Sequence, residues 1–179
     1  MSHSNQVKFC DAVKYMFPQY FESNKLAIDI GSLDVNGNNR GLFEGHYVGI
    51  DVADGKNVDI VCTAHEVTDI IDGTADVVLS TNALEHDMHY PKTLAKMVAL
   101  LKPNGLMFFS VANSWEEHGT ESHDAHESGT SQQDSEWKNY YKNLDEKDVR
   151  EAIDLDKEFL VYQMGVNQHD LQFYGIKKA

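Results

Sequence analysis

The sequence is poor in cysteine and proline, with two and three in 179 residues. Cys10 and Cys62 lie far apart and lack Cys-x-x-Cys spacing. That excludes a disulfide framework and a closed cysteine metal site. Both stand in apolar surroundings, Val7-Lys8-Phe9-Cys10 and Ile60-Val61-Cys62, and are expected as buried, reduced thiols. Basic residues are also scarce: 15 Lys and Arg against 29 Asp and Glu give a net charge of −14. No basic run is longer than Lys177-Lys178. Nucleic-acid binders need a basic stripe, so nucleic acid is an unlikely partner. Anionic membranes are disfavoured for the same reason. No apolar run approaches the ~20 residues of a spanning helix. The start, Met1-Ser2-His3-Ser4-Asn5-Gln6, lacks the basic and apolar stretches of a signal peptide. The expected location is cytoplasmic. There is no internal repeat.

What is present is ordinary hydrophobicity in a chain of single-domain length, read as one domain over 1–179. Residues 1–24 hold an N-terminal helix whose apolar stripe runs from Phe9 to Phe21, shortened near Pro18. Residues 25–112 alternate short apolar strands with helical or loop segments. The strands are Lys25–Ile30, His46–Asp51, Val58–Cys62, Ala75–Ser80 and Leu106–Val111. Thr63–Ile71 has room for a short helix. A clearer helix runs from Pro91 to Leu101 with Leu94, Met97, Val98 and Leu101 on one face, and Pro103-Asn104-Gly105 ends it. Strands of this kind, without in/out alternation, imply a parallel sheet covered on both faces. Residues 113–137 form a long acidic loop, polar and rich in Ser, Thr, Gly and His. A loop of that length is usually functional or disordered. Residues 138–179 hold a helix, Asp145–Ile153, and two strands, Glu158–Gln163 and Leu171–Ile176. The turn Asn167–Asp170 between them is too short for a parallel crossover, so this pair is antiparallel. The fold class is therefore α/β, a Rossmann-like three-layer sandwich with a mostly parallel sheet and an antiparallel C-terminal strand.

Open parallel sheets bind ligands beyond the carboxyl ends of their strands. Strand one ends in Asp29-Ile30-Gly31-Ser32, and a glycine there lets backbone approach a ligand. Strand two ends in Gly49-Ile50-Asp51-Val52. An acidic residue about 20 positions past the first turn commonly holds ribose hydroxyls, because a carboxylate offers two acceptor oxygens to a vicinal diol. After strand three comes Thr63-Ala64-His65-Glu66, where a small Ala64 leaves room for a flat ring and Thr63 also suits a helix N-cap. After strand four come Ser80-Thr81-Asn82-Ala83-Leu84-Glu85-His86-Asp87, polar but without Lys or Arg.

This set resembles the class I S-adenosylmethionine-dependent methyltransferases. The resemblance is carried by Ala27-Ile28-Asp29-Ile30-Gly31, Gly49-Ile50-Asp51, Ala75-Asp76-Val77-Val78-Leu79-Ser80, Ala83-Leu84-Glu85-His86 and Leu100-Leu101-Lys102-Pro103-Asn104-Gly105-Leu106. It implies that S-adenosylmethionine is the cofactor and the methyl donor; the short chain, with no large inserted substrate domain, points to a small-molecule acceptor, for instance a sugar or polar metabolite. The resemblance also implies contacts with the cofactor from Asp29, Gly31, Ser32, Asp51, Val52, Thr63, Ala64 and Ser80. The family's denser glycine loop is missing: Leu33 and Val35 stand where glycines are usual, so Ser32–Arg40 must take another path. The chain is similar to a bacterial and phage subset through Asn39-Arg40, Glu117-His118-Gly119-Thr120 and Tyr140-Tyr141-Lys142-Asn143-Leu144.

Methyl transfer mainly requires alignment, and an oxygen or nitrogen acceptor must also lose a proton. His86 is the first choice for that base and His118 the second. His86-Asp87-Met88-His89, with His118, His123 and His126, matches no closed metal spacing, so no metal is expected. Trp137, Tyr140 and Tyr141 are read as anchoring the returning loop or forming a lid. Two other readings stand beside it: a catalytically silent cofactor-binding module, suggested by the loose glycine loop, and a nicotinamide-dependent oxidoreductase, which shares the Asp51 logic. The second is disfavoured by the absence of Gly-x-Gly-x-x-Gly after strand one. Oligomeric state is not legible.

Overall fold

The computed structural model describes residues 4–133 and 136–179. In chain order the main elements are α1 (Ser4–Met16), β1 (Leu26–Ile30), β2 (His46–Asp51), β3 (Ile60–Val61), β4 (Ala75–Thr81), α2 (Tyr90–Leu100), β5 (Leu101–Ala112), α3 (Glu146–Ala152), α4 (Leu155–Glu158), β6 (Phe159–Asn167) and β7 (Asp170–Lys177). The strands form one seven-stranded sheet in the order β3-β2-β1-β4-β5-β7-β6. β1 to β5 pair in parallel, and β7 lies antiparallel between β5 and β6. The Asn167–Asp170 turn makes this arrangement obligatory, since a two-residue link, with Gln168 at φ 57°, can only reverse the chain.

Two apolar layers cover the sheet. Alternate residues of each central strand point to opposite faces. Ala27, Val77, Leu79, Leu106 and Phe108 meet Cys10 and Val13 of α1 on one side. Ile28, Val78, Met107 and Phe109 meet Leu94 and Met97 of α2 and Val149 of α3 on the other. This burial on both faces is why the strands read as unbroken apolar runs. Phe109 stacks on Phe173 of β7 at 5.1 Å between ring centres, which ties the antiparallel strand into the core. Among the described residues no helix is long and apolar enough to cross a membrane.

Several boundaries differ from the sequence reading. Pro18 ends α1 early and starts a separate 3-10 turn, Pro18–Tyr20. β3 keeps only Ile60–Val61, because it is an edge strand that pairs with β2 alone. Thr63–Ile71 holds one 3-10 turn, Ala64–Glu66. Lys102–Gly105 does not precede β5 but bulges out of it: Leu101 pairs with Ala75, and pairing resumes at Leu106 opposite Val77. Asn104, at φ 62°, turns that bulge. α3 begins at a capping box in which Asp145 and Asp148 each accept the other's backbone N–H.

Candidate active site

The carboxyl ends of β1, β2 and β4 meet at a cleft of about 850 Å³, its open mouth included. Gly31 makes the meeting close. Its φ is +74°, and a Cβ there would lie 2.1 Å from the Cβ of Ala83, on the segment leaving β4. No L-residue fits that position. Gly31 and Ser32 both donate backbone N–H bonds to Ile50 O, at 2.9 and 3.1 Å, so the first loop is sewn to β2.

The loop after Gly31 is held by side chains instead of further glycines. Asp34 accepts from Gly37 N and Asn38 Nδ2, each at 2.7 Å, and pairs with Lys56. Arg40 reaches across to Asn57 Oδ1 at 2.8 Å and Asp59 Oδ2 at 2.6 Å, over the Tyr47 ring. Asn57, in a left-handed conformation, returns its Nδ2 to Ser32 O at 2.8 Å. This network leads to Asp29, whose Oδ2 accepts from the Tyr47 hydroxyl and from Asn39 Nδ2 at 3.2 Å. Asp29 Oδ1 is buried with no partner. Burial raises the Asp29 carboxyl to about 7, against the lowering effect of the Tyr47 and Asn39 bonds.

Asp51 closes β2 and is buried at the cleft wall. Its Oδ2 accepts from Leu33 N at 3.0 Å and its Oδ1 from Ala53 N at 3.1 Å. A carboxylate has about four acceptor positions, so lone pairs remain. Burial raises its pKa even so. Facing it lies the long acidic loop, folded into short 3-10 turns at Ala125–Glu127 and Thr130–Gln132. Glu127, Ser128, Gly129 and Thr130 line the cleft, and Gln133 Nε2 donates to Val52 O at 3.2 Å. Gly129 comes so near Asp51 that a Cβ would lie 2.5 Å from its Oδ1.

At the other side of the cleft, beyond β4, a 3-10 turn carries Leu84-Glu85-His86. The returning chain anchors it. Trp137 Nε1 donates to His86 O at 2.6 Å, and Lys142 N to Glu85 O at 2.9 Å. The His86 ring meets those of His118, at 5.2 Å, and Tyr141, at 5.4 Å. Burial, then the neighbouring His118, pushes His86 down to about 3. An imidazole this weakly basic orients and accepts hydrogen bonds at neutral pH, but it is a poor proton acceptor.

The sequence matches the model of a methyltransferase domain family over residues 1–169. The chain belongs to this family.

The methyltransferase has structural likenesses that agree on the fold. A Burkholderia thailandensis 1,6-didemethyltoxoflavin-N1-methyltransferase, solved with 1,6-didemethyltoxoflavin and S-adenosylhomocysteine, aligns at TM-score 0.64 and 14% identity. The alignment covers 96% of this chain and 77% of that one. The Haemonchus contortus phosphoethanolamine N-methyltransferase 2, solved with S-adenosylmethionine, aligns at 0.61 and 13%, over 94% of this chain and 52% of that one. The PH0226 protein of Pyrococcus horikoshii aligns at 0.64 and 13%, over 99% and 93%. The chain thus spans about half the length of the Haemonchus enzyme. No curated protein sequence matches it significantly.

The methyltransferase uses S-adenosylmethionine, and its cleft suits that cofactor. Asp29, Asp51, Asp87 and Glu127 line it, and no Lys or Arg does among the described residues. Such a wall favours a sulfonium cation carrying an ammonium group. Of the residues expected to contact cofactor, Asp29, Gly31, Ser32, Asp51, Val52 and Ala64 line the cleft. Two do not. Thr63 lies between Cys62 and Ala64, which do line it, and its side chain makes no cap hydrogen bond. Ser80 is fully buried within β4, one residue short of the strand end, where side chains alternate between faces. Thr81 lines the cleft in its place and accepts from Asn39 Nδ2 at 2.9 Å. His86 lines the cleft, while His118 packs behind it on the His86 ring. Cys10 is buried and its pKa is raised to about 12 by burial, as expected of a sequestered thiol. Cys62 is only half-buried and lines the cleft. Sequence reasoning missed Gln6, a buried polar side chain of α1 at the cleft, because nothing in a helical stripe marks it. It also missed Tyr47 and Asn57, which touch Asp29 and Ser32 only through the fold.

Proposed function

We propose that this enzyme methylates a small, polar acceptor that is uncharged or cationic, such as a sugar or amine-bearing metabolite, at oxygen or nitrogen. The cleft lining supports the reading: besides Asp29 and Asp51, which serve the cofactor, its described wall carries the carboxylates Asp87 and Glu127 and no Lys or Arg to receive a phosphate. The inward-folded acidic loop leaves room for a small molecule, and the Burkholderia relative was solved with one.

S-adenosylmethionine supplies an electrophilic methyl group on a sulfonium. The chain's own residues then have three tasks. Asp51 holds the ribose hydroxyls with the lone pairs its backbone bonds leave over. Gly31 and Ser32 admit the methionine part along bare backbone, and the orphaned Asp29 Oδ1 receives its ammonium group. Val52 and Ala64 flank the base, with Cys62 beside them. His86 orients the acceptor, and His118 supports His86 and Tyr141 from the loop. Alignment of acceptor, methyl and sulfur supplies most of the rate; the sulfur leaves with the bonding pair as a neutral thioether, and the acceptor's proton passes to water at the open mouth of the cleft.

The carrying observation is the cation-free, carboxylate-lined cleft. It is tested with labelled S-adenosylmethionine and a panel of neutral sugars, amines and their phosphorylated counterparts, reading S-adenosylhomocysteine release. Turnover should fall on neutral or cationic members. A preference for the phosphorylated ones would overturn the reading.

A further inference from the structure

The Glu85–His86–His118 cluster carries polar atoms that no described residue satisfies. Glu85 is 0% exposed, and no described group makes a well-formed hydrogen bond to either carboxylate oxygen; the nearby backbone N–H groups of Glu85 and Ala112 only partly offset the cost of its burial. His86 is 3% exposed, and its Nδ1 is also buried without a partner. Buried polar atoms are nearly always paired, and a buried carboxylate without donors is costly. Three such atoms on adjacent residues require an explanation that the fold does not supply.

Their third neighbour is His118, brought in by the long loop. One ligand atom from each of Glu85, His86 and His118 lies within 4.8 Å of the others. Among the described residues no other trio of His, Cys, Asp and Glu gathers so closely. His118 Nδ1 lies 2.8 Å from Glu116 O, and a carbonyl can only accept, so Nδ1 carries the proton. That leaves the lone pair on Nε2. A ring N–H given to a carbonyl is the usual outer support of a metal-binding histidine. The rest of the surround is fitted to the rings. Tyr141 packs against both, and a Cβ on Gly119 would come 2.6 Å from His86 Cε1.

We propose that Glu85, His86 and His118 bind one divalent transition-metal ion of the zinc class. Two imidazoles and a carboxylate are a borderline donor set that leaves a further coordination position for an outside ligand. Ligand atoms on a tetrahedral ion stand about 3.3 Å apart, so from separations of up to 4.8 Å the three side chains need to close by up to about 1.5 Å. Since His86 lines the cleft, the ion would stand at its acceptor side. Any role for it in holding an acceptor oxygen rests on the methyl-transfer reading above; its binding does not.

The spacing of histidines along the chain conceals this site. Glu85 and His86 follow β4, while His118 comes from beyond β5, so no motif spans them. The neighbouring pair His123–Glu117, at 3.2 Å and exposed on both sides, is the natural control.

The test uses the full chain, stripped with chelator and titrated with Zn²⁺ by calorimetry and with Co²⁺ by visible absorption. One ion per chain is expected, with the ligand-field bands of a low-coordinate nitrogen and oxygen site. His118→Ala and Glu85→Gln should each weaken binding at least about tenfold, while His123→Ala binds as wild type. No binding by the wild type would overturn the proposal. So would unchanged affinity in His118→Ala, or a loss confined to His123→Ala. Circular dichroism checks folding, and if Glu85→Gln fails to fold, the partly exposed His118 decides. The titrations contain neither cofactor nor acceptor. Their failure therefore leaves the acceptor proposal standing, and failure of the acceptor panel leaves metal binding standing.

Discussion

The two sides of the cleft are built on opposite terms. Beyond β1 and β2, the loop Ser32–Arg40 is almost fully bonded: Asp34, Arg40, Asn57 and Tyr47 satisfy one another and the backbone. Among the described residues, Asp29 Oδ1 and, on the neighbouring α1, Gln6 Oε1 are left over there. Beyond β4, Glu85 Oε1 and Oε2 and His86 Nδ1 are buried and left open. The first side is pre-shaped, and the few atoms it leaves unpaired sit where cofactor is expected. The second becomes satisfied only when something arrives from outside. A dense network is architecture, whereas orphaned polar atoms beside the cleft, unlike those inside a strand such as Ser80 Oγ, are placed to meet a ligand.

Substitutions on the bonded side should have the larger effects. Gly31→Ala comes first. Its Cβ has no space beside Ala83, and a left-handed backbone strains any L-residue by about 1–3 kcal/mol. Cofactor affinity should fall about a hundredfold or more, read by calorimetry, with a lower melting temperature. Near-normal affinity would mean that the two strand ends do not form the cofactor wall. Arg40→Ala follows. It removes the bonds to Asn57 and Asp59 that hold Ser32, and affinity should drop about tenfold with a modest loss of stability.

A pH effect of similar size separates network from orphan. The Asp29 carboxyl is raised from its ordinary 3.8 to about 7 by burial. The folded state therefore binds the Asp29 proton more tightly than the unfolded chain. Its contribution to stability falls as pH rises from about 4 to 7 and is level above that. Asp29→Asn should flatten that slope in urea melts. A cationic cofactor needs the ionised form, so affinity should rise about tenfold between roughly pH 6 and pH 8, with proton release on binding. PH-independent affinity would place the ammonium elsewhere. Ser80→Ala is the smallest change. Ser80 Oγ is buried without a partner and off the cleft, so stability should stay within about 0.5 kcal/mol or improve, with cofactor affinity unchanged.

Much of the fold was legible because the signals were local. Apolar runs at β1, β4 and β5 reflect burial on both sheet faces, and the short Asn167–Asp170 turn dictated an antiparallel pair. Gly31 and Asp51 were readable from spacing, since strand ends in a parallel sheet face one crevice. Ser80 lies off the cleft and Thr81 on it, because in a strand one residue exchanges the two faces. Pro103-Asn104-Gly105 read as a helix stop but lies in a bulge inside β5, because Leu101 already pairs with Ala75. The loop path through Arg40, Asn57 and Tyr47, and the meeting of Glu85 with His118, depend on tertiary contacts between distant segments. No local pattern encodes them.

Calorimetric titration of S-adenosylhomocysteine into the wild type and Asp51→Ala tests the cleft assignment most directly. The product shares the ribose but lacks the transferable methyl, so binding is read without turnover. One molecule should bind the wild type, and the folded variant should bind at least about tenfold more weakly. Equal affinities would contradict the placement of the nucleoside against β2.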